Sequence, residues 1–201
     1  MALKHSYTLL APFYDLLVSR PLNQARQKSL KRIGNVTGKK ILINGIGTGL
    51  DLHYLPTDAI YTGTDITPAM LKLARERAIR YNFNIDLICA DSHQLPFDDT
   101  SYDLIIMHLI LAVVPRPEQA LIEASRVLKP GGSIYIFDKF LKPAEFAPVR
   151  KLLNLISRHI ATRTDVIFED LLCQTPSLQL IHNEPTLANG WFRLIELRKL
   201  S

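Results

Sequence analysis

The chain has few cysteines and lacks both long apolar runs and metal-binding spacings. Its two cysteines, Cys89 and Cys173, are far apart in the sequence and form no metal or redox motif. No apolar run reaches the roughly 18 residues that a membrane-spanning helix needs. The N-terminus also lacks the pattern of a cleavable signal peptide. We therefore expect a cytoplasmic protein in a reducing compartment that does not cross a bilayer.

The composition indicates one folded domain. The chain has 201 residues, of which 47% are hydrophobic and 21% are charged, as is usual for a globular protein. No internal repeat, low-complexity tract or linker divides it. We therefore treat residues 1–201 as a single domain, with residues 1–35 as an N-terminal helical lid segment.

The net charge of +5 is unevenly distributed. Residues 1–40 contain eight Lys and Arg against one acid, residues 41–138 contain seven against twelve, and residues 139–201 contain nine against six. Basic ends of this kind are commonly solvated faces. An anionic partner, such as a lipid surface or a nucleic acid, is the alternative interpretation.

The most informative stretch is KILINGIGTGL at residues 40–50. An apolar β-type run ends there in three glycines on alternate positions, Gly45, Gly47 and Gly49. A second predicted strand ends in Asp65, about 20 residues after Gly45, which is the spacing at which Rossmann-type sites place the acid that binds a ribose diol. The pattern predicts a nucleoside-binding crevice.

The glycine pattern also bears on the kind of nucleoside. A dinucleotide site of the form GxGxxG would require a third glycine at position 50, close to a pyrophosphate, and this chain has Leu50 there. The loop therefore suits a ligand without phosphates, and a dehydrogenase is disfavoured.

Six motifs follow one another within residues 36–140. They are INGIGTG at 43–49, Thr64-Asp65-Ile66, Ala90-Asp91-Ser92, Leu95-Pro96-Phe97, Tyr102-Asp103-Leu104-Ile105-Ile106 and Arg126-Val127-Leu128-Lys129-Pro130-Gly131-Gly132. In order and spacing they resemble the class I S-adenosylmethionine-dependent methyltransferases. The resemblance implies an α/β fold: a Rossmann-like, seven-stranded, mostly parallel sheet with helices on both faces.

The resemblance also implies a cofactor site for S-adenosyl-L-methionine. The methionyl carboxylate would bind free N–H groups of the glycine loop, at the start of a short helix over residues 49–55. Asn44 stands where the resemblance implies an acid near the methionyl ammonium; its amide keeps an acceptor oxygen but loses the charge, so we expect weakened binding. The predicted cofactor residues are Asn44, Gly45, Gly47, Gly49, Asp65, Ile66, Asp91, Ser92 and His108.

Candidate catalytic residues follow from the need to remove a proton from the methyl acceptor. His108 and Asp138 come at the ends of predicted strands beside the crevice, and Tyr14 belongs to an N-terminal segment that we expect to close over it. All three are candidates for this role. No metal-ligand pattern is present.

Two predicted amphipathic helices carry most of the basic residues near the ends. Residues 22–34 place Arg26, Lys28, Lys31 and Arg32 around an apolar stripe, and residues 144–160 form a similar helix. Such helices either lie at an anionic membrane surface or cover the sheet.

The methyl acceptor is the open question. Residues 109–118, 137–140 and 162–165 look most like small bacterial phosphatidylethanolamine N-methyltransferases, with quinone-biosynthesis C-methyltransferases as near relatives. That resemblance implies a lipid substrate held by Tyr7, Lys139 and Arg163, at a peripheral position on the inner membrane face. A methyltransferase of quinols or other small molecules and a non-catalytic nucleoside-binding protein are the alternatives. No nucleic-acid partner is expected, because the chain lacks the Asp/Asn-Pro-Pro-aromatic signature at the fourth strand.

Overall fold

A seven-stranded sheet forms the centre of the computed structural model, which describes residues 22–141 and 166–201. The strands are β1 (Lys40–Asn44), β2 (Ile60–Asp65), β3 (Asp86–Cys89), β4 (Tyr102–His108), β5 (Leu128–Lys139), β6 (Leu178–Leu187) and β7 (Phe192–Lys199). Their order in the sheet is β3-β2-β1-β4-β5-β7-β6. The first five strands run parallel, whereas β7 is antiparallel to both β5 and β6. The predicted fold class is confirmed.

The described helices are α1 (residues 22–30), α2 (Pro68–Arg80), α3 (Pro117–Val127) and α4 (Phe168–Cys173). Helix α2 begins at Pro68, whose fixed φ suits the first helical position. The helix predicted over 144–160 lies outside the described residues. The helix predicted over 49–55 is only a 3-10 turn, Leu52–Tyr54.

The sheet is covered on both faces, and β1 shows why it is apolar at successive positions. Leu42 packs into a layer that contains residues of α3 and α4, whereas Ile41 and Ile43 pack into a layer that contains Ala74 of α2. All three β1 side chains are buried. A parallel strand with helices on both faces requires this continuous apolar run.

The candidate site residues lie at the carboxyl ends of the parallel strands. Asn44 ends β1, Asp65 ends β2, His108 ends β4, and Asp138 is the penultimate residue of β5. Because β1 pairs with β2 on one side and with β4 on the other, the strand order reverses at β1. Open α/β sheets bind ligands in the crevice that such a reversal creates.

Candidate functional site

The loop after β1 needs glycine at three positions for its backbone conformation, and at two of them also for close packing. Gly45, Gly47 and Gly49 all have positive φ, at 77°, 56° and 79°, a conformation that residues with a side chain rarely adopt. A Cβ on Gly45 would lie 2.3 Å from the side chain of Ile110, and one on Gly49 would lie 3.3 Å from the backbone of Ala74. A Cβ on Gly47 would meet no atom within 4 Å. The loop is therefore packed at its ends and open at Gly47.

Asp65 holds the open part of the loop in place. Its Oδ2 accepts the N–H of Gly47 at 3.0 Å, and its Oδ1 accepts the N–H of Thr67 at 2.8 Å. Burial raises the pKa of the Asp65 carboxyl, although these backbone donors act in the opposite direction. The acid predicted to bind a ribose diol thus also fixes the loop beside it.

Helix α2 restrains the same loop through Arg77. The guanidinium of Arg77 donates to the carbonyl oxygen of Thr48 and, at 2.9 Å, to its Oγ1. Thr48 lies between Gly47 and Gly49 and is buried. Side chains from β2 and α2 therefore both bind the loop that follows β1.

Asn44 and Ser92 form a buried polar cluster with Thr64. The Oδ1 of Asn44 accepts the hydroxyl of Ser92 at 2.8 Å and that of Thr64 at 3.2 Å. The Asn44 side chain is fully buried, and its Nδ2 has no hydrogen-bond partner within the described parts of the chain. The cluster joins the ends of β1 and β2 to the loop after β3, so these two predicted cofactor residues shape the crevice from beneath it.

Asp91 is bound by a histidine that the sequence did not single out. The Nδ1 of His93 lies 2.6 Å from Oδ1 of Asp91, and the His93 Nε2 accepts the N–H of Arg116 at 3.3 Å. Because Nε2 is the acceptor, Nδ1 carries the proton and donates to Asp91. Burial acts to raise the pKa of Asp91, but the hydrogen bonds from His93 bring that pKa below its usual value. The loop after β3 is thereby tied to the loop after β4.

His108 belongs to a buried network of four side chains. Its Nδ1 lies 3.0 Å from Oδ1 of Asp51, and its Nε2 lies 3.0 Å from Oγ of Ser29. The same Asp51 oxygen accepts the Arg26 guanidinium at 2.7 Å. Each of the four residues is at most 5% exposed. Both ring nitrogens of His108 are occupied within the protein, so a direct part in proton transfer stays a prediction.

Asp138 is buried at the end of β5, where it binds backbone rather than solvent. Its Oδ2 accepts the N–H of Ala112 at 3.1 Å, and its Oδ1 accepts the N–H of Lys139 at 2.8 Å. Burial raises the pKa of Asp138 to about 6. Burial also lowers the pKa of the Lys139 ammonium, although the neighbouring Asp138 opposes that effect. The side chain of Asp138 therefore holds the loop that leaves β4.

Comparison with known proteins finds similarity to methyltransferases. A family model described as a methyltransferase domain matches residues 42–136, which include the glycine loop, Asp65, Asp91 and His108. The chain is 26% identical to a phosphatidylethanolamine N-methyltransferase of Cereibacter sphaeroides, over 98% of each protein. It is 38% identical to a demethylmenaquinone methyltransferase of Tropheryma whipplei, over 69% of this chain and 56% of the relative. The comparisons therefore support an S-adenosylmethionine-dependent methyltransferase, as the sequence motifs predicted.

Solved structures share the fold of this methyltransferase. The crystal structure of the [4+2]-cyclase SpnF superposes with a TM-score of 0.80, covering 98% of this chain and 94% of that protein. The two sequences are 17% identical. At that identity the similarity shows the common fold alone.

The cofactor of the methyltransferase is S-adenosylmethionine, and the described residues fit it. Gly47 leaves an open cradle above the loop, and Asp65 lies beside that cradle at the end of β2. Two residues after β3, Asp91 accepts from His93 through Oδ1, so that its second carboxylate oxygen would accept the adenine amino group. These residues would hold the two ends of the nucleoside, as the resemblance implies.

The expectation that the glycine loop offers a row of free N–H groups to the methionyl carboxylate is wrong. The N–H groups of Gly45 and Ile46 both donate to the carbonyl oxygen of Thr64, at 2.9 and 2.8 Å. Those of Gly47 and Gly49 donate to Asp65 and to the carbonyl oxygen of Ile46. Because four loop amides are already bonded and only a 3-10 turn follows, the loop does not present a row of free donors to a carboxylate.

The basic face predicted for residues 22–34 is largely neutralised within the protein. Arg26 is buried against Asp51, Lys28 pairs with Glu184 on β6, and Arg32 reaches Glu196 on β7 at 3.4 Å. Leu22 and Ala25 pack against Phe137 and Leu194. Helix α1 therefore covers the sheet, and Arg26 is not available to an anionic surface. Lys31 remains exposed.

Several predicted residues do not enter this description. Tyr7, Tyr14 and Arg163 lie outside the described residues. Ile66 is 39% exposed beside Asp65. Within residues 22–141 and 166–201, no helix is long and apolar enough to span a membrane, and no cluster of His, Cys, Asp and Glu is arranged to bind a metal ion.

Proposed function

We propose that this methyltransferase transfers methyl groups to the amine of a phosphatidylethanolamine headgroup. The observation that carries the proposal is the end-to-end match to the phosphatidylethanolamine N-methyltransferase of Cereibacter sphaeroides, which covers 98% of both proteins. Residues outside the shared cofactor core most often distinguish methyl acceptors, so a match that extends through the core to both ends supports this acceptor.

The reaction needs alignment and exclusion of water more than it needs a strong base. The bound sulfonium supplies the methyl group and leaves as a thioether. The protein must hold the acceptor nitrogen in line with the S–CH₃ bond and keep it uncharged when it attacks. We assign this task to the residues at the ends of β4 and β5.

Lys139 supports the proposal in two ways. Among the described residues, no carboxylate lies within salt-bridge distance of its ammonium, so the charge is available to a headgroup phosphate. Burial lowers the pKa of this ammonium, and the same desolvation would favour the uncharged form of an amine bound close by. A product ammonium formed there would readily lose its proton to water.

A quinol ring carbon is the second candidate acceptor. It is favoured by the 38% identity over 140 residues to the demethylmenaquinone methyltransferase of Tropheryma whipplei. The chain spans only 56% of that relative's length, however. The residues that the relative has beyond the match have no counterpart in the alignment.

A direct assay separates the two acceptors. The protein is incubated with S-adenosylmethionine carrying a labelled methyl group, and with vesicles that contain either phosphatidylethanolamine or a demethylmenaquinol. We expect label in the phospholipid fraction. Label confined to the quinol would overturn the proposal in favour of the second candidate.

Lys139 provides the matching test of how the headgroup is held. Lys139→Gln should raise the KM for phosphatidylethanolamine about tenfold, as expected when a charge-assisted contact of about 1.4 kcal/mol is lost. Lys139→Arg should keep most of the affinity, and the calorimetric affinity for S-adenosylhomocysteine should not change in either variant. An unaltered KM in Lys139→Gln would remove this residue from the substrate site.

A further inference from the structure

Four buried side chains from three separate elements meet beside the cofactor loop. Arg26 and Ser29 lie three residues apart, on one face of α1, and Asp51 follows the last loop glycine by two residues. His108 ends β4. No two of these elements are neighbours in the sequence, so the fold alone brings the four residues together.

The protonation of the network follows from its geometry. Arg26 and His108 both donate to Oδ1 of Asp51, and together they bring the Asp51 pKa below its usual range although burial alone would raise it. The carboxylate is therefore ionised and acts only as an acceptor, which places a proton on Nδ1 of His108. The opposite ring nitrogen, Nε2, lies 3.0 Å from the hydroxyl of Ser29.

This arrangement makes a closed ring of contacts. Helix α1 holds Asp51 through Arg26 and holds His108 through Ser29, while Asp51 and His108 bind each other. The side chains are shielded from water, so each of them acts on the protein rather than on solvent. The restraint reaches the glycine loop through Leu50, the single residue between Gly49 and Asp51.

We propose that Arg26, Asp51, His108 and Ser29 are positioning residues for the cofactor, and that helix α1 is a necessary part of cofactor binding through its bonds to Asp51 and His108. The network fixes the end of the loop whose middle is fixed by Asp65. Loosening it lets the loop leave the geometry in which Gly47 forms an open cradle. The proposal rests on the cofactor site of this methyltransferase and is independent of the methyl acceptor.

A pair of apolar replacements separates positioning from stability. Removing one partner of a buried ion pair leaves an uncompensated charge, whereas replacing both by apolar residues often restores stability. Arg26→Met should therefore lower both the Tm and the affinity for S-adenosylhomocysteine. The double variant Arg26→Met with Asp51→Leu should recover most of the Tm but still bind S-adenosylhomocysteine at least tenfold more weakly, because His108 has lost its acceptor.

Arg193→Met is the matched control. Arg193 is also a buried arginine, with one N–H on Glu169 at 2.7 Å and another on Asn183 at 2.9 Å, and these contacts join β7 to α4 and β6. Its loss should lower the Tm without changing the calorimetric affinity. Cofactor affinity that simply follows the Tm through all three variants would overturn the proposal.

Ser29→Ala keeps the proposal testable if the charge variants do not fold. It removes the bond to His108 and leaves the ion pair intact, and we expect a three- to tenfold loss of S-adenosylhomocysteine affinity with kcat unchanged at saturating cofactor. Ser125→Ala removes another buried helix hydroxyl, one bonded to Ser177 at 2.9 Å, and should have no such effect. Equal affinities in the two serine variants would contradict the network. Failure of the unaltered protein to bind S-adenosylhomocysteine would instead contradict the cofactor site itself.

Discussion

The amide of Gly47 donates to the carboxylate of Asp65 at 3.0 Å, so the middle of the loop after β1 is fixed by the acid at the end of β2. The open space above Gly47 and the acid beside it are thus held at one relative position before any ligand arrives. Preorganisation of this kind lowers the entropy that is lost on binding. Asp65, the acid predicted to bind the sugar, therefore also supports the loop.

A methyl group at position 47 tests this cradle. Gly47→Ala should cost about 1–2 kcal/mol in stability, because the residue has positive φ, and it should also reduce S-adenosylhomocysteine affinity strongly by occupying the cradle. Gly38→Ala is the control, since Gly38 has a φ of 71° and equally open surroundings but lies before β1. We expect the same Tm loss in both variants and a loss of calorimetric affinity only at position 47.

His93 offers a second test, directed at Asp91, the residue predicted to bind the adenine of the cofactor. His93→Ala removes the donor to Asp91 and the acceptor for the Arg116 amide, so the loops after β3 and β4 lose their connection. We expect cofactor affinity to fall about 5- to 30-fold, equivalent to one or two hydrogen bonds of about 1 kcal/mol each. His93→Asn should restore part of it, because its amide can donate to Asp91. His182→Ala on β6 should be without effect; if it matches His93→Ala, the connection is irrelevant to the cofactor.

The raised pKa of Asp138 leads us to expect that the stability of the protein depends on pH. Its pKa in the folded protein, about 6, lies above its ordinary value of 3.8. The contribution to stability is therefore complete below the ordinary value and is lost as the pH rises through 6. Relative to Asp138→Asn, the unaltered protein should lose about 1 kcal/mol of unfolding free energy between pH 5 and pH 7.5. Urea unfolding of both proteins at the two pH values measures this loss. An unaltered protein that becomes more stable relative to Asp138→Asn as the pH rises would contradict the prediction.

Lys31 tests the proposed contact with an anionic membrane. It is an exposed cation directly after α1, whereas Lys28 and Arg32 are paired with acids of β6 and β7. Lys31→Ala should weaken binding to vesicles containing anionic lipid by about fivefold, since one cation near such a surface contributes about 1 kcal/mol. Lys72→Ala makes the same charge change on the exposed part of α2. Equal weakening by both variants would indicate attraction by net charge without a contact at this helix.

The sheet was predictable because its signals are local. Strands β1, β4 and β5 each contain a short apolar run that ends in a polar residue, and Pro68 and Pro117 start helices α2 and α3 where the sequence places them. The segment after the glycine loop departs from expectation because few residues separate Gly49 from Pro56. Leu52 and Tyr54 donate to carbonyl oxygens three residues back, which gives a 3-10 turn in place of an α-helix.

The buried network was not predictable, because its members are far apart in the sequence. Helical periodicity places Arg26 among the exposed cations of α1, and only the fold shows that Asp51 lies within 2.7 Å of it. The contact of His93 with the Arg116 amide was equally hidden, because these residues are 23 positions apart. A polar residue at position 51, between Leu50 and Leu52, was the single local hint of a buried acid.

The position of β7 has a consequence for synthesis of the protein. Because Phe192–Lys199 pairs with both β5 and β6, the hydrogen-bonding edge of β5 stays uncovered on the ribosome until these residues emerge. A nascent chain that already contains the complete glycine loop would still expose an open strand edge to neighbouring polypeptides. We therefore expect stop codons shortly before Phe192 to yield aggregated product rather than a smaller active enzyme.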